Sequence, residues 1–186
     1  MELLRILRRE ICFRQVIEGE LNEDSLCGSA VRNFEVHQKY GAISFYSMGS
    51  GDQPLGLERI AMAVTVGTQK LDDVAYCVVD DGQLQALGLE VNLDGGGTTK
   101  IANVDKNHVS VKQVTLRRLV GMTLECARRV GVKDPTVVAR GRVAFEVDQA
   151  LKSNELDQTK FDPKFARALS EARKSNPYKV AMRGAG

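Results

Sequence analysis

Residues 90–104 read EVNLDGGGTTKIANV, three consecutive glycines between two runs of strand-forming residues. Leu89, Val91 and Leu93 alternate with Glu90, Asn92 and Asp94, which gives a strand one apolar face and one acidic or polar face. Glycine enters the left-handed backbone region without steric cost, so the triplet suits a reversal. Residues 99–104 then read as the return strand. A hairpin here places antiparallel pairing in the sheet, and that pairing favours an α+β fold over a doubly wound α/β fold.

The elements upstream extend this reading. VAYCVVD (residues 74–80) is a nearly continuous apolar run of the kind a central strand buried on both faces needs. A helix is expected over 55–70, with Asp52 as N-cap and Pro54 in its first turn. Residues 29–38 and 42–48 read as two strands joined at KYG. Leu3, Leu4, Leu7 and Ile11 recur at helical spacing and predict a helix over 2–18 closed by Gly19.

Downstream, DKN makes a turn and HVSV adds a short strand. The strongest pattern lies at 111–130. Leu116, Leu119, Val120, Met122, Leu124, Cys126 and Ala127 fill one arc of a helical wheel, and Arg117, Arg118, Glu125, Arg128 and Arg129 fill the other. Ser110 with Gln113 fits a capping box. A brief strand is expected in VKDPTVVARG and a helix over 142–153. SNELDQTKF reads as a linker, and Asp162 and Pro163 start a last helix that carries Phe165, Leu169 and Ala172. The tail at 178–186 reads as loose. The expected architecture is α+β: an antiparallel or mixed sheet of four to six strands, with the 111–130 helix packed on it. Residues 1–155 form a single domain, and 156–186 form a C-terminal helical appendage.

With 43% hydrophobic residues among 186, the chain can bury a core without disulfides or metals. Cys12, Cys27, Cys77 and Cys126 include no CxxC pair and sit in or beside apolar runs, which fits reduced core thiols better than zinc ligands. No stretch has the length of a signal peptide core or a membrane span, so a soluble, cytoplasmic protein is expected. Trp is absent and aromatics reach only 5%, too little flat surface for stacking bases or sugars. Charge is uneven. Residues 1–111 hold 10 basic and 16 acidic residues, and residues 112–186 hold 16 and 8. The basic half suits a polyanion, or it pairs with the acidic half within one fold or across a homodimer.

Three clusters are candidate sites. Arg117, Arg118, Arg128 and Arg129 on the long helix, with Arg140 and Arg142 after it, supply planar guanidinium donors for phosphates. LDGGGTTK resembles the first phosphate-binding hairpin of the sugar-kinase and actin superfamily. That resemblance covers about a dozen residues and implies Asp94 as the acidic residue, with Gly96, Gly97, Thr98 and Lys100 as phosphate contacts. In that superfamily the hairpin opens the domain, whereas here it sits mid-chain. The third cluster is acidic: Asp80 and Asp81 ending an apolar strand, with Glu90 and Asp94, could hold a magnesium ion. The paired aspartates resemble those of phosphoribosyltransferases, without the Gly–Thr loop that follows there. A nuclease of the PD-(D/E)xK kind would place a lysine at position 92, which is Asn92. His37 and His108 lie far apart with no HxH or HxxxH spacing, so sequence assigns neither a role.

The leading functional expectation is an accessory or binding module that meets a macromolecular partner, protein or nucleic acid, through its basic C-terminal half, with no cofactor. One alternative is a magnesium-dependent enzyme for a phosphorylated or nucleotide substrate at residues 80–100. Another is a protein-binding homodimer. Whether the chain is a catalyst stays open at this level.

Overall fold

The computed structural model describes residues 1–7, 28–34, 36–37, 41–49, 55–99, 101–130 and 137–184. Its elements, in chain order, are β1 (Glu2–Ile6), α1 (Gly28–Arg32), β2 (Ile43–Ser47), α2 (Leu57–Thr68), β3 (Val74–Asp80), α3 (Asp81–Ala86), β4 (Glu90–Leu93), α4 (Ala102–Asp105), β5 (His108–Lys112), α5 (Leu116–Val130), β6 (Val137–Val138), α6 (Arg140–Lys152), α7 (Pro163–Ala172) and α8 (Asn176–Arg183). The six strands form one sheet in the order β4-β5-β2-β1-β3-β6, and every pairing is antiparallel. The α+β class is therefore correct.

Successive side chains of a strand point to opposite faces, and here both faces are covered. Leu3, Ile43, Phe45, Cys77, Val79, Val109 and Val111 point to one face and pack with α1, α3 and α5. Leu4, Tyr46 and Val74 point to the other and pack with α2, α4, α6 and α7. Two apolar cores thus share a single sheet. β3 lies second from the edge of the sheet, between β1 and the short β6, rather than at its centre, and its apolar run is fully buried on the first-core face and half-buried at Tyr76 and Val78 on the other. Cys77 and Cys126 are buried free thiols in the first core; Cys12 and Cys27 lie outside the described residues.

Several expectations change. The N-terminal segment is a strand as far as Ile6, not a helix, and it sits between β2 and β3. Leu3 and Leu4 are both fully buried because each faces a different core. A doubly buried strand loses its alternation, and Leu3, Leu4 and Leu7 then match helical spacing by accident. Residues 8–18 and Gly19 lie outside the described residues. Residues 28–32 are helical rather than extended, and the pairing near KYG reduces to a bridge between His37 and Ala42. Helix α2 starts at the Gly56 cap; Asp52 and Pro54 are not among the described residues. Residues 99–104 are not the return strand. Ile101 and Val104 instead enter the second core through a loop and the short α4. The strand that returns against β4 is β5, in the register Glu90↔Lys112 and Leu93↔Val109. Helix α5 begins at Leu116. Ser110 belongs to β5, so the capping box does not form, and Thr115 caps instead by accepting the Arg118 N–H at 3.3 Å. Leu116, assigned to the apolar arc, is 75% exposed.

The C-terminal segment follows the sequence more closely. Asp162 accepts the Phe165 N–H at 2.7 Å and Pro163 opens α7. Phe165, Leu169 and Ala172 are buried in the second core. The tail expected to be loose is helical to Arg183, where Ser175 caps α8. Gly141 permits this docking, because a Cβ there would meet Pro177 and the backbone nitrogen of Tyr178 at 3.1 and 2.8 Å. None of the described helices is long and apolar enough to cross a membrane.

Candidate functional site

The second core does not reach the β4-β5 end of the sheet. There the same face that carries Leu4 and Tyr46 continues as Ser44 on β2 and His108, Ser110 and Lys112 on β5. These side chains line a cleft of about 410 Å³. His37 and Ala42 flank it on one side, and Asp94, Gly96 and Thr98 flank it on the other. The chain has two histidines, and both line this cleft.

Asp94 organises the floor. Its Oδ1 lies 2.6 Å from His108 Nδ1 and accepts the Gly96 N–H at 3.0 Å. Its Oδ2 accepts the Ser110 hydroxyl. Partial burial opposes ionisation, but the hydrogen bonds from His108, Ser110 and the Gly96 amide, with the attraction of His108, bring the carboxyl down to about 2. An ionised carboxylate only accepts hydrogen bonds, so His108 Nδ1 carries the proton and Nε2 is the basic nitrogen. Tyr46 stands edge-on to the imidazole at 5.7 Å. Burial, with the Asp105 carboxylate adding to it, pushes the Tyr46 phenol up to about 12. The phenol therefore remains protonated.

The lowered pKa carries a stability prediction. Asp94 contributes stability that is fully present above the ordinary aspartate value of 3.8 and is lost as pH falls toward about 2. Asp94→Asn is expected to flatten the fall of the urea midpoint across that window. An acid limb identical to that of the parent chain would show that Asp94 is not held as described.

The glycine run has its own internal partners. Gly95 adopts φ +62°. A Cβ at Gly97 would lie 2.7 Å from the Asp105 Cα, so the loop closes on α4 only with glycine there. Asp105 Oδ1 accepts both the Thr99 N–H at 2.8 Å and the Thr99 hydroxyl at 2.7 Å. The Gly95 amide donates to the His108 carbonyl. The triplet is a tight connection into α4, not a two-strand turn. Of the residues implied as phosphate contacts, Gly96 and Thr98 line the cleft, Gly97 fixes the loop, and Lys100 lies outside the described residues.

The acidic cluster does not converge. Asp80 caps α3, accepting the Gly82 N–H at 2.9 Å. Asp81 meets the Met1 ammonium at 2.6 Å. Glu90 accepts from Asn92 at 2.6 Å and from Gln113 at 3.3 Å. Asp94 alone of the four lines the cleft. Among the described residues, no group of three or more His, Cys, Asp or Glu side chains is placed to hold a metal.

The arginines also separate. Arg117, Arg118 and Arg128 ride on α5 over the first core, and Arg140 and Arg142 ride on α6 over the second. The sheet lies between them. Arg128 pairs with Glu125 at 2.5 Å, Arg142 reaches Glu58 at 3.7 Å, and Arg118 donates to the Gln113 carbonyl at 2.8 Å. The Arg140 amide donates to Asp73 at 2.7 Å. The Arg129 side chain lies outside the description.

A smaller cleft of about 250 Å³ sits between the end of α2 and the chain after α6. Its charged residues have partners: Glu155 pairs with Arg59, and Asp157 with Lys160 at 3.8 Å.

Comparison with known protein families, with curated proteins and with solved structures finds no match to this chain.

Proposed function

We propose that the chain is an enzyme that binds a small polar substrate in the cleft over β2 and β5 and uses His108 as its general base. The observation that carries this reading is the 2.6 Å contact between Asp94 Oδ1 and His108 Nδ1 on the cleft floor. A carboxylate that holds one ring nitrogen protonated orients the imidazole and stabilises the imidazolium formed when the other nitrogen accepts a proton. Ser110 and the Gly96 amide in turn hold Asp94. The Ser110 proton is committed to Asp94, which assigns that hydroxyl a positioning role, not a nucleophilic one. A cleft of about 410 Å³ is of the size that small molecules occupy.

The reading through the basic half has less support, because its arginines lie over opposite faces of the sheet and several are paired with acids of the same chain. The magnesium reading has less support because its four carboxylates are separated.

The test is turnover of two chromogenic probes, p-nitrophenyl acetate and bis(p-nitrophenyl) phosphate. Hydrolysis of at least one above the buffer rate is expected, with a loss of about 100-fold or more in His108→Gln and no change in Arg128→Ala. Turnover of neither probe, or equal rates in the parent chain and His108→Gln, would overturn the proposal.

A further inference from the structure

The groups that the dyad leaves over in the cleft are donors. Lys112 lines it from the end of β5 and makes no ion pair among the described residues. Its register partner Glu90 accepts from Asn92 and Gln113 and attracts the Lys112 charge without closing an ion pair. The hydroxyls of Ser44 and Thr98 line the same space and have no hydrogen-bond partner among the described residues. The acids nearby are occupied: both oxygens of Asp94 accept from His108, Gly96 and Ser110, and Asp105 Oδ1 accepts twice from Thr99.

We infer that the ligand of this cleft is a phosphate-bearing small molecule, with Lys112 and the hydroxyls of Ser44 and Thr98 around the phosphate. Three features select this class. An ammonium with neutral hydroxyl donors complements an oxyanion, and the Asp94 carboxylate beside them is engaged by His108, Ser110 and the Gly96 amide. The donors come from three different elements, β2, β5 and the loop before α4, which suits a tetrahedral group better than a planar carboxylate. The cleft is much larger than one phosphate ion, so the phosphate carries an organic body, for which Tyr46 and Ala42 supply apolar surface.

This inference rests on the cleft being the working site, but not on His108 acting as a base. The experiment is an amide NMR titration of the full chain with inorganic phosphate, with acetate and sodium chloride at matched ionic strength as separate arms. Saturable shifts at Gly96, Thr98 and Lys112 with phosphate are expected. Binding should weaken about tenfold in Lys112→Gln, because a hydrogen bond to a charged group is lost, and should weaken in Thr98→Val. Lys112 and Thr98 are exposed, so both variants should fold. Equal response to acetate, shifts that do not saturate, or unaltered affinity in Lys112→Gln would each overturn the inference. The two proposals fail separately. Phosphate binding without ester turnover removes the general base alone, and turnover of the acetate ester without phosphate binding removes the phosphate ligand alone.

Discussion

Asp148→Ala lowers the unfolding free energy by about 3 kcal/mol, which for a chain of this size is a fall in Tm of roughly 6–12 °C. Asp148 is only 8% exposed, on the inner side of α6. Its carboxylate binds the Arg173 guanidinium in two-pronged fashion, at 3.0 Å from Nε and 2.5 Å from Nη2. The Tyr178 hydroxyl donates to it at 2.6 Å. Three helices, α6, α7 and α8, therefore meet at one acid, and the Arg173 pKa is raised first by its hydrogen bond to that acid. Burial, then the same acid, pushes the Tyr178 phenol up to about 12. Removing the carboxylate leaves a guanidinium and a phenol facing a cavity. The Arg173 side chain is 37% exposed and can turn to water, which sets the cost at the low end of what breaking a buried pair entails. Asp148→Asn keeps the shape and one acceptor and should cost less than the alanine. Thermal unfolding of both variants checks this. A shift below about 1 kcal/mol for the alanine, the range of surface pairs, would mean the network does not hold the last helices in place.

What the sequence shows of this fold depends on whether each face of an element has one kind of neighbour. α7 reads correctly because it has one apolar face toward the protein and one polar face toward water, and β4 reads as a strand from its alternation even though Leu93 is exposed. β1 read as a helix because it has no polar face: Leu3 and Leu4 are buried in different cores, and periodicity carries no information when both sides are apolar. α5 was visible in its arc, but its start was not. The residue that caps it, Thr115, is matched by an equally good motif at Ser110, and only the pairing of β5 decides between them.

The site was half legible for a related reason. The polar face of β4, with Asp94 at its end, is plain in the alternation, and HVSVK alternates in the same way. What is missing from the sequence is the register. Once Asn92 is set opposite Ser110, Asp94 falls beside His108, and Tyr46 follows across β5. The glycines drew attention to a neighbouring feature, since Gly97 is required by Asp105 and not by a ligand. His37 carries no local signal at all. It joins the cleft through its bridge to Ala42.

Phe45→Ala and Phe165→Ala should each cost about 3–5 kcal/mol, and the two costs should add. Phe45 lies on β2 in the first core, fully buried and stacked on Phe34 at 6.5 Å between ring centroids. Phe165 lies on α7 in the second core, 1% exposed, edge-on to Phe161 at 4.9 Å. The sheet separates them, so neither cavity can relax into the other, and separated sites with no shared partner add to within about 0.5 kcal/mol. Yet both cores grip the same strands: β1 contributes Leu3 to one and Leu4 to the other, and β3 contributes Cys77 and Val74. Loss of either core strips one face of the shared sheet. Unfolding should therefore remain a single transition in both variants, with the denaturant midpoint lowered and the slope kept. If residues 156–186 instead behave as an appendage, Phe165→Ala will produce an early, separate transition and leave the main midpoint where it was. Urea curves followed by far-ultraviolet circular dichroism and by tyrosine fluorescence distinguish the two outcomes, because tyrosines lie in both parts: Tyr46 and Tyr76 in the sheet and Tyr178 in the last helix. Coincident curves place the C-terminal helices within the cooperative unit that also carries the cleft.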